Sequence, residues 1–172
     1  MRKLLFFLCI AAACVSFRAN AQTFKFAHVN TAEIWALMPD LDSVKVKLEK
    51  TGRELQAILD ESRAEVDKKY KEYEENQKTW SQVVIESKQA ELLELNKRIQ
   101  TQEQNAQARL QQEQQKLVEP VQKKLKDAVD KVGKSNGFTY VFDISIGSPI
   151  YVNETQSTDI GALVKKELGI SK

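Results

Sequence analysis

The chain has 172 residues, with 26 Lys or Arg against 24 Asp or Glu, one His and two Cys. His and Cys are scarce, and nearly all of the carboxylates stand among Lys and Gln in helical sequence, where no dry pocket is expected. This argues against an enzyme, and the sequence predicts no catalytic site, no cofactor and no metal. Basic and acidic residues are interleaved along the chain instead of forming a basic stripe, which disfavours nucleic acid as a partner.

The first 21 residues predict a cleaved signal peptide. A basic start at residues 1–3 precedes an apolar run at residues 4–15, and Ala19 and Ala21 occupy the positions that signal peptidase reads. The apolar run is shorter than the roughly 20 residues of a membrane-spanning helix. We therefore expect export through the inner membrane. A less favoured alternative is a lipoprotein anchored through Cys14, which ends a degraded lipoprotein box.

Removal of this segment changes both the charge and the chemistry of the chain. Both cysteines are removed with it. Three of the 26 basic residues are removed as well, which leaves 23 basic and 24 acidic residues and a net charge of −1. The mature chain therefore has no thiol and no average charge that attracts nucleic acid or anionic membrane. Its one histidine, His28, lies in a strand-like run, where a lone histidine is more often structural or exposed than a ligand or base.

The mature N-terminus predicts a strand followed by a short helix. Aromatic residues alternate with smaller ones over residues 24–29, which is typical of a strand. Asn30 or Thr31 is placed to cap a helix at residues 32–37. Pro39 should end that helix, because proline disfavours helical geometry in the residue before it.

Residues 40–132 predict a long antiparallel helical hairpin. Apolar residues recur at spacings of three, four and seven, and Gly and Pro are almost absent. A single helix of this length would extend about 140 Å. The pattern is disturbed at residues 79–81, however, and Ser81 is a candidate cap for a second helix that begins at Gln82.

The hairpin divides the chain into an arm and a body. We predict an arm at residues 40–120 and a body formed by residues 22–39 and 121–172. A turn near residue 80 brings Pro39 level with Pro120, and a proline inside a helix removes a hydrogen bond and kinks the helix. We therefore predict that the two prolines mark a hinge between arm and body.

The seam between the two arm helices is predicted to be thin. Polar residues stand at seam positions where a stable coiled coil carries large aliphatic residues: Thr51, Ser62, Gln77, Gln102 and Gln114. Helices packed through so few apolar layers should be held weakly and bend easily.

The C-terminal region predicts two strands. Gly133 is expected to end the long helix. Residues 138–142 and 150–152 then predict a hairpin, with a turn at residues 147–149.

A last helix is predicted near the C-terminus. Ser157 or Thr158 is placed to cap it and Gly169 to end it. Its apolar face comprises Ile160, Leu163, Val164 and Leu168.

The fold class is therefore α+β, with a body too small to be stable alone. Three short strands leave open edges, and a body of about 70 residues without disulfides buries little surface. Oligomerisation is the remaining remedy, and nine strands from a trimer are enough to close a shared barrel-like body. The predicted oligomer core comprises Phe24, Phe26, Val29, Phe138, Tyr140, Phe142, Ile150 and Val152.

Both ends of the chain carry segments that resemble a known family. The sequences FAHVNTAEIWALMP, EPVQKKLKDAVDKVGKSNGFTYVFD, IYVN and DIGALVKKELG, around a long Lys/Glu/Gln-rich hairpin, are similar to the OmpH/Skp family of periplasmic chaperones. The resemblance implies a periplasmic trimer whose helical arms project like tentacles around a cavity and hold unfolded outer-membrane proteins without ATP. The near-neutral mature charge argues against carrying over contact with lipopolysaccharide or the membrane surface, and Gly161 stands where the family commonly has Thr.

Client binding is predicted near the arm tip, where scattered apolar groups stand among charges. The candidates are Tyr70, Tyr73, Trp80, Val83, Val84 and Ile85. Packing between the two arm helices is the alternative role for these residues, and for the tyrosines it is the favoured one. For the whole protein, the alternative function is a structural or adaptor coiled coil of the cell envelope.

Overall fold

The computed structural model describes residues 24–147 and 149–170. The predicted signal peptide, including Cys14, lies outside these residues, and so does Ser148 of the predicted turn. The elements in chain order are β1 (Phe26–Val29), α1 (Thr31–Ala36), α2 (Asp40–Asn76), α3 (Gln82–Ser135), β2 (Tyr140–Asp143), a 3₁₀ turn (Ile144–Ile146), β3 (Ser157–Asp159) and α4 (Gly161–Glu167). The predicted α+β class, with a small sheet and a long helical hairpin, is confirmed.

The sheet is parallel, and the predicted hairpin at residues 138–152 is wrong. β1 is the central strand, and β2 and β3 flank it in the order β2-β1-β3, both parallel to it. The third strand is β3, whereas residues 150–152 form no strand. The side chain of Asp143 accepts a hydrogen bond from the Ser145 N–H (2.9 Å) and starts the 3₁₀ turn, which directs the chain away from β2. A parallel strand then needs a long crossover connection.

The long helix ends later than predicted, because Gly133 has a packing role. α3 continues to Ser135, and Gly137, with φ of 67°, provides the left-handed residue that follows the helix. The Phe138 N–H then donates to the Gly133 carbonyl (3.0 Å). Gly133 itself is buried, and a Cβ there would lie 3.4 Å from Cγ2 of Val141 in β2. Helix and strand are therefore close enough that a methyl group at residue 133 would be in contact with Val141.

The last helix also begins later than predicted. Ser157 and Thr158 belong to β3, and α4 begins at Gly161, whose N–H donates to Oδ1 of Asp159 (2.8 Å). The aspartate thus satisfies a backbone donor that a predicted serine or threonine cap would have satisfied. Gly169 ends this region with φ of 73°, as predicted.

The apolar face of α4 is narrower than predicted. Ile160 and Val164 are fully buried and Leu168 is half-buried, but Leu163 is exposed. The helix has seven residues, so only two turns contact the body.

The predicted start positions of α1 and α3 are confirmed. Oδ1 of Asn30 accepts a hydrogen bond from the Glu33 N–H (3.1 Å) and caps α1. α3 begins at Gln82 after Ser81, although the Ser81 side chain makes no capping hydrogen bond. Pro39 immediately precedes α2, and Pro120 lies inside the continuous α3.

One hydrophobic core lies on one face of the sheet. Ala27 and Val29 of β1 point into it, and α1, α4 and the C-terminal part of α3 cover it. The core comprises Ala27, Val29, Ile34, Met38, Val44, Val121, Leu125, Ala128, Val132, Ile160 and Val164. Because successive strand residues point to opposite faces, the neighbours of the core residues lie on the outer face of the sheet.

Candidate functional site

The outer face of the sheet carries four aromatic residues in mutual contact, of which three are exposed and Phe26 is half-buried. Phe26 contacts Phe24, Tyr140 and Phe142, with ring centroids 6.5, 6.2 and 6.3 Å apart. Tyr140 is 59% exposed and Phe142 is 40% exposed. We call Phe24, Phe26, Tyr140 and Phe142 the aromatic face. A contiguous exposed apolar patch of this kind marks an interaction surface.

An open groove borders the aromatic face. It has a volume of about 370 Å³, within the size of small-ligand pockets, and its apolar lining consists of Phe26, Phe142, Pro149, Tyr151 and Val152. The groove therefore extends the apolar surface towards the loop between β2 and β3. Ile150 of this loop is fully exposed.

The predicted oligomer-core residues fall into three groups. Four of them form the aromatic face, and Ile150 and Val152 lie in the neighbouring loop. Val29 is 1% exposed within the core of a single chain, so its side chain is not available to a second chain. Phe138 packs against the same core, with Nζ of Lys25 4.5 Å from its ring centroid. The prediction was wrong for Val29, because residues 27 and 29 face inwards while residues 26 and 28 face outwards.

His28 lies on the outer face and has a structural contact. Its neighbours across the sheet are Phe142 on β2 and Asp159 on β3. Its Nδ1 lies 2.9 Å from Oγ of Ser157. This hydrogen bond ties β1 to β3, in agreement with the structural interpretation of the histidine.

Asp143 joins the sheet to α1. Its carboxylate accepts hydrogen bonds from the N–H (3.3 Å) and the hydroxyl of Thr31, and from the Ser145 N–H. Partial burial alone would raise the pKa of Asp143, but the hydrogen bonds from Thr31 and Ser145 outweigh it and hold the pKa below its usual value. The ionised carboxylate is therefore part of the folded body.

The arm tip is closed by an aromatic contact. The rings of Tyr73 and Trp80 meet edge to face, with centroids 6.1 Å apart, and the Tyr73 hydroxyl accepts a hydrogen bond from Nε2 of Gln89 (2.7 Å). Nζ of Lys88 lies 5.8 Å from the Trp80 ring centroid. These contacts pack Tyr73, in the last turn of α2, against Trp80 in the connection between the two helices.

The six predicted client-binding residues are thus divided by the structure. Tyr73, Trp80 and Ile85 are half-buried at the tip, whereas Tyr70, Val83 and Val84 are exposed, Val83 to 76%. Leu93 is exposed to the same degree and was missed, because its neighbours Leu92 and Leu95 account for the helical apolar pattern.

The seam of the arm contains few buried residues. In the described structure only Leu59 and Val66 of α2 and Leu92 and Leu95 of α3 are buried between the tip and the core of the body. Among the polar residues predicted at the seam, Thr51, Ser62, Gln77 and Gln102 are half-buried, and Gln114 is exposed. Oε1 of Gln102 is buried without a hydrogen-bond partner, which weakens the seam further.

Ion pairs connect the two helices on both sides of this seam. Arg63 pairs with Glu103 (2.6 Å), and on the other side Glu65 pairs with Arg98 (2.7 Å), Lys69 with Glu91 (2.5 Å) and Glu72 with Lys88 (3.4 Å). The hydrogen bond between Lys69 and Glu91 raises the pKa of Lys69 and lowers that of Glu91. Exposed pairs contribute little stability, so their main effect is to fix the antiparallel register.

Across residues 24–147 and 149–170, no three His, Asp or Glu side chains are grouped so that they could hold a metal ion. In the same residues, no helix is both long enough and apolar enough to cross a membrane.

A small parallel sheet with exposed aromatic residues, carrying a long helical hairpin with few buried residues, defines an α+β fold of body and arm. The sequence model of the OmpH-like outer membrane protein family matches residues 25–168, and the chain belongs to this family. The resemblance noted at the two ends of the sequence is therefore confirmed. None of the curated proteins compared with the chain matches it.

The fold is also similar to a solved structure. This is the crystal structure of an OmpH-like protein from Caulobacter crescentus CB15, proposed to be an outer membrane chaperone. The TM-score is 0.68 at 18% sequence identity, over 84% of this chain and 83% of the other. At this identity the similarity establishes the fold.

Proposed function

We propose that this protein is an ATP-independent periplasmic holdase chaperone, which encloses unfolded outer-membrane proteins in a cavity between helical arms and prevents their aggregation. The observation that carries the proposal is the combination of an uncovered aromatic face on the body with a thinly packed arm. Family membership supports it, and so does the fold shared with an OmpH-like protein proposed to be an outer membrane chaperone.

The aromatic face supports assembly into a trimer. Phe24, Tyr140 and Phe142 are exposed on a three-stranded sheet whose two edges, β2 and β3, are open in the single chain. Three copies that pack these faces together would bury the aromatic rings and cover the edges, each ring contributing a large apolar area. In this arrangement residues 22–39 and 121–172 form the hub, and residues 40–120 project from it.

The arm supports weak and adaptable contact with a client. Outward Tyr70, Val83, Val84 and Leu93 are separated by charged residues, so that they offer several small apolar contacts without forming one dry patch. Unfolded β-barrel proteins expose apolar, aggregation-prone strands. Many weak contacts can keep such a chain in solution without selecting one conformation.

The prolines supply a place for the arm to move. Asp40, next to Pro39, forms an ion pair with Lys124 (2.8 Å), which lies about one helical turn from Pro120 and supports a common hinge level for the two prolines. We propose that the arm pivots at this level. A cavity with movable walls accommodates clients of different sizes.

The test uses an outer-membrane β-barrel protein unfolded in urea and diluted into buffer without nucleotide. The mature protein should suppress light scattering at about three chains per client, and sedimentation should show a trimer with the client bound. A protein that is trimeric but does not delay aggregation would instead support the structural or adaptor coiled coil. A stable monomer at micromolar concentration would contradict the assembly.

A further inference from the structure

One lateral face of α3 carries an unbroken row of amide side chains. The row, which we call the amide stripe, consists of Asn96, Gln100, Gln104, Gln107, Gln111 and Gln114. The spacings are four, four, three, four and three residues, so at about 100° per residue the six side chains lie within an arc of about 80°. All six are exposed.

The stripe differs from the rest of the helix surface. The seam-facing residues of the same segment, Ile99, Ala106 and Leu110, are half-buried and lie about 100° away around the helix. The far side carries the charged residues Arg98 and Arg109. The stripe itself contains no charge, although 29% of the chain is charged.

The amides of the stripe are largely free to bind another molecule. Elsewhere in the described chain, Gln56, Gln82 and Gln89 each donate to a neighbouring side chain. Asn96 donates to the Leu92 carbonyl (2.8 Å). Within residues 24–147 and 149–170, the five glutamines of the stripe have no such partner.

A side-chain amide has the same donor and acceptor groups as a peptide bond. A row of amides can therefore bond an extended backbone in any register, whereas Lys only donates and ionised Glu only accepts. A neutral amide also loses less solvation energy than a charge when a client covers it.

The length of the stripe fits one extended segment. From Asn96 to Gln114 the helix rises about 27 Å, which equals about eight residues of extended chain at about 3.3 Å each. A transmembrane β-strand has about 9 to 11 residues. The exposed Leu93, three residues before Asn96, continues the row and adds an apolar contact at its end.

We propose that the amide stripe binds the peptide backbone of an unfolded polypeptide, so that the arm holds an extended client segment irrespective of its side chains. This inference rests on the proposed holdase function and assigns the contact surface. Because backbone bonds do not depend on sequence, they suit a protein that holds different clients.

Two double variants test the proposal with matched changes. Gln104→Ala/Gln111→Ala removes two amides from the stripe, and Asn105→Ala/Gln112→Ala removes two exposed amides one residue further along, about 100° away on the same helix. Alanine is the best helix former, so both variants keep the helix. The stripe variant should release a urea-unfolded outer-membrane β-barrel protein about tenfold faster, as expected for two lost hydrogen bonds. The control should change release less than about twofold.

A second measurement identifies the backbone as the ligand. The probe is a peptide copy of one transmembrane β-strand, with alternate backbone nitrogens methylated. Methylation should weaken binding to the unchanged protein about tenfold and have little effect on binding to the stripe variant. If the unchanged protein holds the client and both variants behave alike, the inference is wrong and the holdase function stands. If the unchanged protein does not hold the client, both the inference and the proposed holdase function are wrong.

Discussion

The body and the arm are built from the same chain in opposite ways. Eleven buried residues form one core in the body, and α1, α4 and the end of α3 all contact it. The arm is longer than the body, yet only four of its residues are buried in the described structure beyond that core, and exposed ion pairs fix its register. Buried apolar packing is therefore concentrated in the body and sparse along the arm.

The largest expected effect concerns the aromatic face. Tyr140→Asp should prevent assembly, raising the dissociation constant about a hundredfold or more, because a charge would be buried at the contact between chains. Sedimentation should show monomers. Circular dichroism should show an unchanged helix content, since the Tyr140 ring lies outside the core of the single chain. Client holding should be lost as a consequence.

Two variants sharpen this separation of body and arm. Tyr140→Phe, which keeps the ring, should remain assembled. Val83→Asp at the arm tip should also remain assembled and should release the client faster. A trimeric Tyr140→Asp variant would show that the aromatic face is not the assembly surface.

The next effect compares core residues of the two regions. Ile160→Ala should lower the free energy of unfolding of the body by about 3 kcal/mol, because Ile160 is fully buried. Leu95→Ala should act on the arm alone, where few neighbours depend on it.

The two tryptophans make this difference measurable. Trp35 packs against the core of the body, and Trp80 lies at the arm tip. In urea unfolding followed by fluorescence, a protein with Trp80→Phe reports on the body and one with Trp35→Phe reports on the arm. If both reporters shift equally with either alanine, body and arm unfold as one cooperative unit.

The smallest effect is a difference in pH dependence. Asp143→Asn should lower the free energy of unfolding by about 1 kcal/mol at neutral pH, because the carboxylate accepts hydrogen bonds from Thr31 and Ser145. Since folding lowers the pKa of Asp143, its contribution is present above the unfolded pKa of about 4 and is lost as pH falls through the lower folded value.

Urea unfolding at several pH values measures this dependence. The difference between the unchanged protein and Asp143→Asn should therefore disappear in acid. Glu91→Gln, which removes the ion pairs of Glu91 with Lys69 and Lys88 in the arm, should change the unfolding midpoint much less at any pH. An equal effect of the two substitutions would remove the contrast between body and arm.

Structural features that depend on a few adjacent residues were predicted from the sequence. Asn30, the turn before Gln82 and Gly169 were predicted correctly, since a cap or a turn depends on a few adjacent residues. The sheet was predicted wrongly because its pairing joins distant segments. The strand at residues 157–159 is short and polar, and no alternation of apolar and polar residues distinguishes it from a loop.

The candidate site was predictable only in part. The exposed aromatic residues of the body follow from strand alternation, but assigning Val29 to the inner face required the pairing of β1. Gly133 was interpreted as a helix end, since its contact with Val141 is a tertiary feature. The amide stripe is visible in the sequence as glutamines three and four residues apart, but only the neighbours on the helix show that they lie on one exposed face.

The contact at Gly133 concerns the direction of α3 as well as its distance from β2. The helix that forms half of the arm passes behind the strand that carries Tyr140 and Phe142, and a Cβ at residue 133 would lie 3.4 Å from the Val141 side chain of that strand. The arm tip lies about 75 Å further along the helix, so a tilt of about 5° at this contact would move the tip by about 7 Å. A small change in the direction of the helix at residue 133 is therefore magnified at the arm tip.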